Sequence, residues 1–220
     1  MPFSNIFDNL SHALRRLPED TTRFGELVRI DPIEAIENCE EALDGVLNKI
    51  HGLHDVAKRH GMNWHRTPAI AVILKIRNER QHGGRHEFQT AYRYIAKNAL
   101  LVNKQGYTCI DFPMEDTTPT PLYVTLQPFH AIIQRSKQKH AEEVSRLAEY
   151  THMEDWLAQS APIAFFDIFP IITNAMVSIV AHSKHLIKPL SDESDTFLSH
   201  FQIVSAYDLS NFTVTEYPGV

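Results

Sequence analysis

A mainly α fold, a helical bundle with one short inserted β-hairpin, is what the sequence predicts. Three observations carry that expectation. Capping residues precede prolines at Asp31-Pro32 and Thr67-Pro68. Apolar residues follow each start at spacings of three and four, the period of a helix with one buried face. A single proline-rich, β-favouring interval, 103–128, interrupts the helical pattern. The chain of 220 residues is long enough for one domain with a real core.

Taken in order, a short amphipathic stretch runs from Phe3 to Leu17. Asp31-Pro32-Ile33-Glu34 then combines a capping Asp, a proline at the first helical position and a Glu three residues after the cap. Ile33, Ile36, Leu43, Val46, Leu47, Ile50, Leu53 and Ala57 continue that helix, and Gly61 ends it. From Pro68 a nearly all-apolar helix runs into Arg77-Asn78-Glu79-Arg80-Gln81-His82 and stops at Gly83-Gly84. A further helix is expected from Arg85 to about Val102, so the glycine pair reads as a hinge.

Within 103–128, Tyr107 to Phe112 and Leu122 to Leu126 read as two strands of a hairpin or flap around an acidic, threonine-rich turn. Phe129 to Gln159 reads as one long amphipathic helix, and Ile163 to Ile187 as an apolar helix kinked at Pro170. The tail from Asp192 offers a short helix and a strand-like alternation at Phe212 to Tyr217. The organisation expected is thus a single helical domain over 1–220, with a core at 31–102, the insertion at 103–128 and additional helices at 129–190.

Composition narrows the function classes. Cys39 and Cys109 lie far apart with no CxxC spacing, so neither a disulfide framework nor a cysteine zinc site is suggested, and a reducing compartment, the cytoplasm, is expected. No secretion signal is read at the N-terminus. The apolar window Pro162 to Ala181 contains Asp167, Asn174 and two prolines, and an ionised Asp at mid-bilayer costs about 2.5 to 3.5 kcal/mol, so a buried helix and no membrane partner are expected. A net charge of -6 argues against a whole surface that coats nucleic acid, so any such contact must be local. No Walker A, GxGxxG, GxSxG or HExxH pattern occurs.

The chemistry-bearing segment is Arg77 to His82. Arg59 to His65, Arg80 to His86 and Arg146 to His152 have similar spacing, so context must choose. An apolar helix leads into Arg77, a polar Asn78 follows it, and Gly83-Gly84 releases His82 from a regular helical path. Arg146 sits inside a charged helix and Arg59 lacks a leading apolar helix, and both read as solvated faces. In the activity that the family resemblance of this segment implies, metal-independent RNA cleavage, one group must take the 2′-hydroxyl proton, one must protonate the leaving 5′-oxygen, and positive charge must meet the phosphorane oxygens. Imidazole and guanidinium supply these roles near neutrality. Residues five apart on a straight helix differ in direction by about 140°, so Arg77 and His82 meet one phosphate only at a helix end or in a groove.

HEPN-family nucleases carry an Arg, four to six residues and a His, commonly with a polar residue directly after the Arg, and Arg77-Asn78-Glu79-Arg80-Gln81-His82 is similar to that motif. The resemblance covers roughly 31–102. It implies an antiparallel helical bundle of HEPN type and a homodimer whose two Arg/His pairs line a shared cleft. It also implies an endoribonuclease without cofactor that leaves a 2′,3′-cyclic phosphate and a 5′-hydroxyl, in a toxin or defence role with an antitoxin or regulatory partner. The catalytic candidates are Arg77, His82 and Asn78. Many toxin members have a Tyr two residues after the His, where this chain has Gly84, so the resemblance does not extend to regulation through that residue.

From Lys75 to Lys97, six basic residues face only Glu79 and Glu87, a local excess of four positive charges on an acidic chain. Lys75, Arg80, Arg85 and His86 are therefore candidate RNA contacts, and Phe88, Tyr92 and Tyr94 are candidates for base stacking or for core. Two other readings stay open. The motif is the charged end of a core helix in a non-catalytic HEPN-like interaction or regulatory protein, or the pairs His51/His54 and His182/His185 bind a metal.

Overall fold

The structure, a computed structural model, describes residues 2–82, 88–91, 93–94, 122–135, 141–152, 155, 158, 164–211 and 214–216. Seven helices organise them: α1 (Phe3–Leu27), α2 (Pro32–Arg59), α3 (Pro68–His82), α4 (Leu126–Arg135), α5 (Ala141–Thr151), α6 (Phe169–Ser183) and α7 (Asp192–Ile203). Three strands, β1 (Tyr123–Thr125), β2 (Ala164–Asp167) and β3 (Val214–Glu216), form one antiparallel sheet in the order β1-β2-β3. The mainly α expectation holds.

Helices α2 and α3 both start at their prolines, Pro32 and Pro68, and at the first the cap works as the local chemistry requires. The Asp31 carboxylate accepts from the amides of Ile33 at 3.1 Å and Glu34 at 3.0 Å, satisfying donors that the first helical turn leaves free. Pro32 lacks the N–H that would go unused there. The far end of α2 is turned by Gly61, whose φ of +75° lies in the left-handed region that glycine enters without a Cβ penalty. α1 is longer than its amphipathic stretch suggests and continues through Pro18 to Leu27. Pro18 forfeits one backbone bond, and Thr21 Oγ1 donates to its carbonyl at 3.1 Å one turn on.

α3 is the centre of the packing. Ala69, Ile70, Ala71, Val72, Ile73, Leu74 and Ile76 are all buried, which a helix apolar on every side demands. α2 lies along one side of it, α6 along another, and α4 and α5 also touch it, while α1 covers α2. The resulting core joins Phe7, Leu10 and Phe24 of α1 to Leu43, Leu47 and Ile50 of α2 and to Ile172, Met176 and Ile179 of α6.

Three expectations need correction. The strand expected at 122–126 exists as β1, but its observed partner is β2, with Val124 opposite Phe166; Tyr107 to Phe112 lies outside the described residues. Alternating aromatic and β-branched residues signal a strand, yet they do not name its partner. The apolar window is strand followed by helix. Asp167 ends β2, its Oδ1 accepts from Leu122 N and Phe169 N at 3.1 Å each, and Pro170 sits in the first turn of α6 as a start rather than a kink. The helix expected over 129–159 begins earlier, at Leu126, and α5 ends at Thr151, where His152 turns the chain with a φ of 51°. In the tail, α7 and β3 fall where a helix and a strand are expected, and Ser191 caps α7 with a reciprocal Ser191/Ser194 box. Among the described residues no helix is long and apolar enough to cross a membrane.

Candidate functional site

Arg77 to His82 forms the last turn and a half of α3, so His82 stays on the regular helical path that the glycine pair was expected to free it from, and tertiary contacts divide the residues of the motif sharply. Arg77 lies half-buried where α3 meets α2. Its Nε donates to Asn48 Oδ1 at 3.1 Å and its Nη1 to Asn78 Oδ1 at 3.1 Å. Both partners are neutral amides, so neither cancels the guanidinium charge. Gln81 Nε2 also donates to Asn48 Oδ1, at 3.4 Å. Asn78, Gln81 and His82 are exposed and Lys75 is half-buried.

Arg80 does not belong with the candidate RNA contacts, because only 3 % of it reaches solvent. Its Nη2 donates to Glu40 Oε2 at 2.6 Å, its Nε to Asp44 Oδ1 at 2.5 Å and its Nη1 to the Phe88 carbonyl at 3.0 Å. Burial opposes its charge, but the two carboxylates outweigh burial and hold its pKa above the ordinary arginine value. Glu40 is fully buried as well, and its Oε1 accepts from Thr90 N at 2.9 Å and Thr90 Oγ1 at 2.8 Å. The network therefore fastens Phe88 to Thr90, just beyond the motif, to both α2 and α3. Thr90 also bridges to Val124 of β1, which ties the motif end of α3 to the sheet.

The same contacts shrink the basic island. Arg93 pairs with Glu37, so two of the six cations counted along the sequence meet carboxylates from α2. Summing charge over 75–97 missed these partners because they lie 36 to 56 residues upstream. One signal was present: Glu37, Glu40 and Asp44 follow a helical spacing, and the latter two sit among the apolar positions of α2. Of the stacking candidates, Phe88 is fully buried with its ring 6.2 Å from Phe129, and Tyr94 packs edge-on against Phe165 at 5.7 Å. Phe88 is thus a core ring, and Tyr94 is half-buried against the sheet. Arg85, His86 and Tyr92 lie outside the described residues.

The histidines on α2 pair differently from their sequence spacing. His51 Nδ1 lies 3.4 Å from Asp55 Oδ2, while His54 is buried and places its Nε2 3.3 Å from Nε2 of His65. Burial pushes the His54 imidazole down to about 4. Burial, then the nearby charge of Arg77, lowers His51 below the ordinary histidine value. Among the described residues no three His, Cys, Asp or Glu side chains converge on a metal-sized position. Arg146, read as a solvated position, in fact donates to the carbonyls of His65 at 2.7 Å and Arg66 at 2.8 Å. Cys39 is a buried free thiol whose pKa burial raises to about 12, which makes it inert.

Against family models, curated proteins and solved structures, the chain matches none.

Proposed function

We propose that this chain is a metal-independent endoribonuclease in which Arg77 holds the scissile phosphate, His82 transfers a proton and Asn78 orients the guanidinium. The observation that carries the reading is the contrast inside one helical turn: Arg80 is saturated by carboxylates, whereas Arg77 is half-exposed and, among the described residues, bound by the amide oxygens of Asn48 and Asn78. A guanidinium so held is oriented and keeps its full charge for an anion. His82 stands exposed one turn beyond Asn78, at the end of α3. An imidazole there reaches solvent and substrate.

The resemblance to HEPN nucleases extends this reading to a homodimer and to a toxin or defence role with a regulatory partner. Lys75, half-buried on α3, remains a candidate phosphate contact.

The test is cleavage of a single-stranded oligoribonucleotide in excess chelator by the wild-type chain, His82→Ala and Arg77→Ala. Chelator-resistant cleavage that falls at least 100-fold in each variant, with 2′,3′-cyclic phosphate ends, is expected. No cleavage by the wild type, or equal cleavage by all three, rejects the reading and leaves a non-catalytic helical protein.

A further inference from the structure

Transesterification of RNA requires two proton transfers on opposite sides of phosphorus, and Arg77 with His82 supplies only one imidazole per chain. The second has a counterpart on α2. Arg77 is bracketed by two amides, Asn48 of α2 and Asn78 of α3. One helical turn beyond each stands a histidine: His51 is three residues after Asn48, and His82 is four residues after Asn78.

The helices run in opposite directions, because Arg80 meets Glu40 and Asp44 while Arg77, earlier on α3, meets Asn48, later on α2. The two histidines therefore leave the guanidinium toward opposite ends of the seam. Three residues along α2 and five along α3 set their backbones about 12 Å apart along the axis.

We propose that His51 is the second proton-transfer group of this site. The proposal rests on the ribonuclease reading. Nδ1 of His51 lies 3.4 Å from Asp55 Oδ2, so the carboxylate can fix the ring and stabilise the proton it receives. With 27 % of its side chain exposed, His51 is reachable. The charged and titratable groups that act on it are Asp55, Lys58 and His54 of α2, Arg77 of α3, and His65 of the turn Trp64–Arg66. Together with burial they favour the neutral ring, the form that accepts a proton.

In the step, the 2′-oxygen attacks phosphorus and its proton passes to neutral His51. The bond from phosphorus to the 5′-oxygen breaks, and the leaving oxygen takes a proton from His82. The products are a 2′,3′-cyclic phosphate and a 5′-hydroxyl. No water, metal or redox partner is consumed, and solvent resets the two imidazoles.

The experiment measures kcat and KM against pH in chelator, with a single-stranded oligoribonucleotide and the full chain, for wild type, His82→Ala, His51→Asn and Asp55→Asn. A loss of about 100-fold in kcat with little change in KM is expected for His51→Asn. For Asp55→Asn, removing the carboxylate that favours the imidazolium moves the acid limb of the profile to lower pH, a shift that a purely structural role would not produce. Should His82 prove essential while His51→Asn keeps kcat within twofold and Asp55→Asn keeps the wild-type profile, His51 has no proton-transfer role and the ribonuclease reading stands alone. A wild type that cleaves no better than His82→Ala overturns both.

Discussion

Arg77 and Arg80 stand three residues apart on one helix and have opposite fates. Arg80 points into the seam between α2 and α3, meets Glu40 and Asp44, and is sealed from water. Arg77 sits one turn earlier, meets Asn48 and Asn78, and keeps solvent access. The difference lies on α2: carboxylates opposite one arginine and an amide opposite the other. A residue type alone therefore says little about its place in the fold, because the partner decides whether a guanidinium is an internal tie or a charge left open to solvent.

The largest expected effect tests the internal tie. Arg80→Ala leaves Glu40 and Asp44 buried without their cation and should destabilise the fold by about 3 to 5 kcal/mol in urea unfolding. A change below about 1 kcal/mol would erase the contrast with Arg77.

Next comes a pH effect at another buried polar group. His54 has a folded pKa near 4, below the ordinary histidine value, so below neutrality the unfolded chain binds a proton that the folded chain refuses. The stability held above about pH 6.5 should fall by up to about 3 kcal/mol as pH drops toward 4. His54→Phe should flatten that part of the stability profile, and an unchanged slope would assign it elsewhere.

A smaller effect sharpens the network itself. Thr90→Ala removes one of the two bonds to Glu40 Oε1 and keeps the backbone bond, and about 1.5 kcal/mol of lost stability is expected. Smallest of all, Arg77→Ala should cost less than about 1 kcal/mol of stability, since its amide partners lie within reach of water. If Arg77→Ala unfolded the chain as Arg80→Ala is expected to, any loss of cleavage in that variant would carry no message about chemistry.

How much was legible follows from what each signal measures. The start of α2 was readable because Asp31-Pro32 acts within one turn, and so was its end at Gly61. The buried character of α3 was equally plain, because seven of its residues between Ala69 and Ile76 are apolar. Arg80 was misread as a phosphate contact, since nothing within its own segment announces Glu40 and Asp44. His51 was noticed only as half of a His51/His54 pair, yet on the fold it joins Asp55 and faces the charge of Arg77, while His54 turns inward to His65.

By itself the sequence determined where α2 and α3 begin, which of their faces are apolar and that a polar motif ends α3, because caps, prolines and periodicity act over a few residues. Only the tertiary structure decided that β1 pairs with β2, that Arg80 is an internal tie and that Asn48 accepts from Arg77, whose charge acts on His51. Those outcomes depend on groups some 30 to 40 residues apart in the chain meeting across a packed seam, where burial strengthens charge pairing and makes an unpaired charge costly.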